Sequence, residues 1–171
     1  MPLHKLTITT VLTACLFTGS AFAEDYISLS VGDWNALRSG QAHVFQYGGE
    51  YRFSDVGYGI HPILGGFGTA KGGAYGYGGL NWDVALLPNQ LYLVPNFAVG
   101  AYKEGDGKQM GGALEFRSGI ELDYQFPNAH QVGVALNHIS NAGIYDHNSG
   151  EESVLLTYSI PVSAITKLVG R

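Results

Sequence analysis

Leu114-Glu115-Phe116-Arg117-Ser118-Gly119-Ile120-Glu121-Leu122-Asp123-Tyr124-Gln125 is the stretch on which the fold turns. Leu114, Phe116, Ile120, Leu122 and Tyr124 share one parity, and Glu115, Arg117, Glu121, Asp123 and Gln125 share the other. A period of two is the mark of a β-strand, whose successive side chains point to opposite faces. The apolar face is long and ends in an aromatic ring, while the polar face mixes charges of both signs. In a small membrane barrel the outward face meets lipid and the inward face is a polar interior filled by side chains. A half-exposed strand of a soluble sandwich gives the same alternation. So does a lipocalin-like barrel turned inside out, because parity alone does not say which face is buried.

The rest of the chain follows the same rhythm. Ile27, Leu29 and Val31 alternate with Ser28 and Ser30. Phe45, Tyr47, Tyr51 and Phe53 oppose Gln46, Glu50 and Arg52, and Leu91, Leu93, Phe97 and Val99 mark a further strand. Eight strands result, over residues 26–32, 43–53, 57–67, 73–84, 90–102, 112–125, 131–140 and 151–161. The third and fourth are the least regular, because Pro62 and the glycine-rich 65–79 blur the alternation. Residues 33–42, 103–111 and 141–150 form longer loops, whereas Ser54-Asp55-Val56, Pro88-Asn89 and Pro127-Asn128-Ala129 read as tight turns. Short turns on the periplasmic side and longer loops outside are the habit of outer-membrane barrels, and strands of about ten residues cross at a tilt. The predicted fold is an all-β, eight-stranded antiparallel transmembrane up-and-down barrel of the outer membrane. Glu50, Arg52, Glu115, Arg117, Glu121 and Asp123 would form a charge network inside it.

The ends and the composition agree with export. Lys5, the apolar run Leu6 to Phe17 and the small-x-small Ala21-Phe22-Ala23 read as a secretory signal peptide over residues 1–23, with the barrel over 24–171. A lipoprotein box at Leu12-Thr13-Ala14-Cys15 competes with this, but it leaves a very short apolar region before its cut. Cleavage after Ala23 removes the single cysteine, so packing or lipid, not disulfides, must hold the domain. The formal net charge of −5 argues against a nucleic-acid partner, which calls for a basic stripe. The chain ends Val169-Gly170-Arg171 without a terminal aromatic, so residues 162–171 are expected to be a short periplasmic tail.

Chemistry concentrates in the last hairpin. His138 and Ser140 share the parity of the apolar Val132, Val134 and Leu136, and Glu152 shares that of Val154, Leu156 and Tyr158. An imidazole, a hydroxyl and a carboxylate thus point outward at the same end of one hairpin. Two residues apart on a strand face is about 6–7 Å, and Glu152 is expected opposite Ser140 or nearby. Taken singly, each is an ordinary rim or turn residue. Taken together, they form an acid–base and nucleophilic set whose exposure beside lipid is costly without a task. Asp146, His147 and His138 imitate a metal cluster, but their spacing is irregular.

His138-Ile139-Ser140-Asn141-Ala142-Gly143, then Asn148, Gly150, Glu152 and Leu155-Leu156-x-Tyr158-x-Ile160-Pro161, resembles the lipid A 3-O-deacylase (PagL) family. The close match spans His138 to Pro161, including the twelve-residue step from Ser140 to Glu152. The remainder agrees in export signal, length and barrel pattern. The resemblance implies an esterase that removes the 3-O-linked 3-hydroxyacyl chain of lipid A. Ser140 would be its nucleophile, His138 its general base and then acid, and Glu152 its orienting carboxylate. Asn141, Gly143 and Asn148 are the implied candidates for oxyanion donors. It implies no cofactor and no metal, and a lipopolysaccharide substrate reached from the outer-membrane lipid. Monomer and homodimer both stay open. Lys103, Lys108 and Arg38 in outer loops are candidate phosphate partners or plain solvated charges. The rival reading is a non-catalytic small barrel, an adhesin or membrane-stability protein. A channel fits badly, because eight strands leave an interior filled by side chains.

Overall fold

The computed structural model describes residues 24–37 and 42–170. The signal reading of 1–23, and Arg38, lie outside the described residues. Nine strands follow in order: β1 (Tyr26–Trp34), β2 (Val44–Arg52), β3 (Ile60–Thr69), β4 (Ala74–Trp82), β5 (Val84–Leu87), β6 (Leu91–Lys103), β7 (Leu114–Gln125), β8 (Gln131–Ser140) and β9 (Glu151–Pro161). Consecutive strands pair antiparallel except β4 and β5, and β1 also pairs with β9, from Tyr26↔Pro161 to Trp34↔Ser153. The sheet therefore closes. β4 and the short β5 both pair with β6 and form one stave interrupted at Asp83, so the wall has eight staves. Closure leaves no edge, which lets the backbone satisfy its hydrogen bonds without water.

Alternation decides the two faces as expected. Leu29, Phe45, Leu64, Phe97, Val134 and Leu156 stand exposed on the outer wall, an apolar surface a soluble barrel would not present. On β7, Leu114, Ile120, Leu122 and Tyr124 point out, while Glu115, Arg117 and Asp123 are buried.

The interior holds two storeys. Near the turns, Arg52 is 1% exposed and lies 3.7 Å from Asp83, 3.9 Å from Glu121 and 3.7 Å from Asp123. Higher up, Arg117 donates to Glu50 at 3.0 Å and lies 4.1 Å over the Tyr77 ring. The predicted charge network is thus present, with Asp83 as a member not foreseen. Glu115 is buried beside it, but neither of its carboxylate oxygens has a hydrogen-bond partner among the described residues.

The loop end of the interior departs from the expected polar filling. Trp34, Phe67, Tyr75, Tyr102, Met110 and Ile139 pack there as an aromatic and apolar plug, with Trp34 stacked 6.1 Å from Tyr102. The cause lies in the glycine-rich strands. Gly66, Gly68, Gly76 and Gly78 occupy the outward positions of β3 and β4, so the aromatic residues between them turn inward.

Two further details differ from expectation. The third strand starts at Ile60, because Gly57 and Gly59 take positive φ (128° and 76°) in the turn that precedes it. The residues expected as a short tail carry a helix, α1 (Val162–Val169), whose first N–H donates to the Asp25 carbonyl at 2.9 Å. Val162, Ile165 and Leu168 recur at helical spacing, a pattern a tail would not need.

Candidate active site

β8 and β9 meet in a register that sets His138 opposite Glu152 and Ile139 opposite Glu151. His138 and Glu152 both point out of the barrel. The imidazole Nδ1 lies 3.0 Å from Glu152 Oε1, with the two side chains 46% and 25% exposed. Sequence reasoning left Glu152 opposite Ser140 or nearby; the pairing makes His138 its direct partner. A carboxylate on Nδ1 fixes the tautomer that leaves Nε2 as the proton acceptor.

Ser140 follows two residues along the same face of β8, half-buried, and its neighbour on β7 is Phe116. Continuing the β8–β9 register by one step brings it opposite Gly150. That position has no side chain, and φ there is +53°, a conformation glycine adopts freely. A Cβ at Gly150 would sit 3.0 Å from His138 Cε1 and 3.6 Å from Nε2. Gly150 thus keeps open the space beside the Cε1–Nε2 edge of the imidazole.

A residue not singled out from sequence joins the row. Ser118 on β7 pairs directly with His138, so Ser118, His138 and Glu152 lie side by side across three strands. Its signal was visible as the one small polar side chain on the apolar parity of β7.

The loop after Ser140 is built on Asn141, which is fully buried. Its Nδ2 donates to the Met110 carbonyl at 2.7 Å and the His147 carbonyl at 2.8 Å, and its Oδ1 accepts the Gly143 N–H at 2.9 Å. The Asn141 N–H in turn donates to Asn148 Oδ1 at 3.2 Å. Of the three oxyanion candidates, Asn141 and Gly143 therefore spend these donors on shaping the loop. Asn148 is exposed, and among the described residues no hydrogen bond occupies its Nδ2.

Lys108 also differs from its expected role. Its ammonium donates to the Gly150 carbonyl at 2.6 Å and to the Glu151 carboxylate. Lys103 remains exposed at the end of β6. Among the described residues no group of three His, Cys, Asp or Glu side chains could hold a metal ion, and His138, Asp146 and His147 form no such group.

A closed barrel with an apolar outer wall and a charged interior is a transmembrane barrel of the outer-membrane type, here with a His–Glu pair and serine hydroxyls at the lipid-facing loop end. The family model described as "Lipid A 3-O-deacylase (PagL)" matches residues 25–161, and the chain belongs to that family. It is similar to the lipid A deacylase PagL of Pseudomonas aeruginosa, at 38% identity over 65 residues. That alignment takes in 38% of this chain and 37% of the relative, so the chain spans well under half of that protein's length in the match. Among solved structures, the crystal structure of the outer membrane enzyme PagL superposes with a TM-score of 0.60 at 22% identity, covering 80% of this chain and 99% of that one. A designed transmembrane β-barrel gives 0.52 at 12% identity, over 81% and 95% of the two chains. These likenesses concern the fold.

Proposed function

We propose that the chain is a serine-type esterase that hydrolyses the 3-O-linked 3-hydroxyacyl chain of lipid A in the outer leaflet. The observation that carries this is the His138 Nδ1–Glu152 Oε1 contact of 3.0 Å on the lipid-facing wall, two residues from Ser140. Family membership supports the substrate class.

In the first half-reaction Ser140 Oγ attacks the ester carbonyl carbon while His138 Nε2 takes the hydroxyl proton. The imidazolium is stabilised by the Glu152 carboxylate, which itself stays ionised. The carbonyl oxygen gains negative charge, and a donor preorganised at that point lowers the barrier. The Asn148 amide, oriented by the bond its Oδ1 accepts, is the group best disposed for this. Collapse of the intermediate breaks the carbon–oxygen bond to the sugar. The imidazolium returns its proton to the departing 3-oxygen, leaving lipid A with a free hydroxyl and an acyl-Ser140.

Water then attacks the acyl carbon with His138 again taking the proton. Breaking the bond to Ser140 Oγ releases the 3-hydroxy fatty acid and regenerates the hydroxyl. No deep pocket is needed, because the substrate lies in the same membrane as the site and arrives by lateral diffusion. A site on the outer wall near its loop end suits an ester that lies where acyl chains meet the headgroup.

A fluorophosphonate probe tests the nucleophile. Peptide mapping of the labelled, folded protein is expected to find the adduct on Ser140. An adduct on Ser118, or none, contradicts the assignment.

A further inference from the structure

The loop between β6 and β7 has no strand of its own, yet a series of specific contacts sews it to the loop that precedes β9. Lys108 reaches Gly150 and Glu151, Ser149 Oγ donates to the Gln109 carbonyl at 2.8 Å, and Asn141 Nδ2 donates to the Met110 carbonyl. Gly112 lies so close beneath the Tyr145 ring that a Cβ there would meet it at 2.1 Å, and the Tyr145 hydroxyl accepts the Leu114 N–H at 3.2 Å. These contacts converge on the segment that ends at Glu152.

Lys108 is the charged member. Glu151 is inward and fully buried, and the Lys108 side chain is only 15% exposed. A carboxylate so placed needs a cation, and once the pair is formed, removing one partner costs more than removing both. Consecutive strand residues point to opposite faces, so holding Glu151 inward fixes the outward aim of Glu152. The link is tightened by Glu151 Oε1, which accepts the Glu152 N–H at 3.3 Å. The second oxygen Lys108 holds belongs to Gly150, where an added Cβ would meet the His138 ring.

We propose that Lys108 is a positioning residue for the catalytic hairpin: through Glu151 and Gly150 it locks the chain on which Glu152 and His138 meet. The proposal rests on the Ser140–His138–Glu152 reading. It assigns to the β6–β7 loop a role in turnover in addition to covering the barrel's end. It also separates Lys108 from a phosphate-binding cation, since a substrate contact would act on KM and a positioning contact acts on kcat.

The test is steady-state hydrolysis of lipid A by purified, folded protein in detergent micelles. Wild type is compared with Lys108→Met, Lys108→Arg and the double variant Lys108→Met/Glu151→Gln, each normalised to the folded fraction read from its heat-dependent gel mobility. Misplacing a catalytic group by a fraction of an ångström gives an expected loss in kcat of about tenfold for Lys108→Met, with KM within about twofold of wild type. Lys108→Arg and the double variant are expected to recover most of it. A raised KM at unchanged kcat, an unchanged kcat, or a double variant no better than Lys108→Met overturns the proposal. If Lys108→Met does not fold, Glu151→Gln reads the pair from the other side. A fall in kcat of about threefold or more at constant KM supports the proposal, and an unchanged kcat refutes it. Ser140→Ala is assayed in parallel. Its inactivity beside an unaffected Lys108→Met refutes positioning alone, whereas an active Ser140→Ala refutes the triad itself.

Discussion

His138 and Glu152 face each other across β8 and β9 with Nδ1 3.0 Å from Oε1, outside the barrel. A charged carboxylate is costly on a wall that meets acyl chains, by about 2–4 kcal/mol for cationic side chains at mid-membrane and less for acids or near the interface. The loop-end location keeps that cost low, and pairing to the imidazole lowers it further.

If Glu152 orients His138, Glu152→Gln is expected to lower kcat by about 10²- to 10⁴-fold at nearly constant KM, because the amide stabilises neither the correct tautomer nor the imidazolium. Rate measurements on folded protein in micelles check this. Ser118→Ala, which removes the other hydroxyl beside His138, is expected to retain most activity. A reversed pattern, with Ser118→Ala inactive, would move the nucleophile to β7.

Gly150 keeps space clear beside His138. Gly150→Ala forces a non-glycine residue into φ +53° and brings its Cβ 3.0 Å from the imidazole Cε1. The left-handed backbone costs about 1–2 kcal/mol, and displacement of the ring is expected to reduce kcat roughly tenfold. Gly76→Ala is the matched control, since a Cβ there meets nothing within 4 Å. Equal activity of the two variants would count against a role for Gly150.

Much of this was legible from parity. The strand at 114–125 shows its faces in full, and the staves other than the third and fourth follow its logic closely. The third and fourth were harder, because a glycine states no preference between lipid and interior. Only the structure shows that Tyr75 and Tyr77 fill the barrel and that Asp83 breaks the fourth stave. The His–Ser–Glu set was legible as three residues of one parity. Its register was not: residues 141–150 are long enough to permit several, so His138 opposite Glu152 had to come from the fold. Lys108 was misread for a related reason. In sequence, a lysine in a glycine-rich loop looks the same whether solvated or tied to a buried carboxylate distant along the chain.

The interior charge network predicts stability effects of a definite sign. Arg52 is the cation shared by Asp83, Glu121 and Asp123. Arg52→Met leaves those carboxylates facing one another in a closed interior, and a loss of about 3–5 kcal/mol is expected. Urea unfolding in lipid vesicles measures it. A loss below about 1 kcal/mol would show that the network does not depend on Arg52 for its balance.

The central claim is hydrolysis of one acyl ester of lipid A by Ser140. The most direct measurement is the mass of lipid A extracted from a Gram-negative host that expresses either wild type or Ser140→Ala, with equal amounts of folded barrel in the outer membrane. Wild type is expected to shift lipid A down by the mass of one 3-hydroxyacyl chain, with the free 3-hydroxy fatty acid recovered and the 3-position hydroxyl exposed. Ser140→Ala is expected to leave the mass unchanged. Identical lipid A from the two strains, or the same loss from both, would contradict the account.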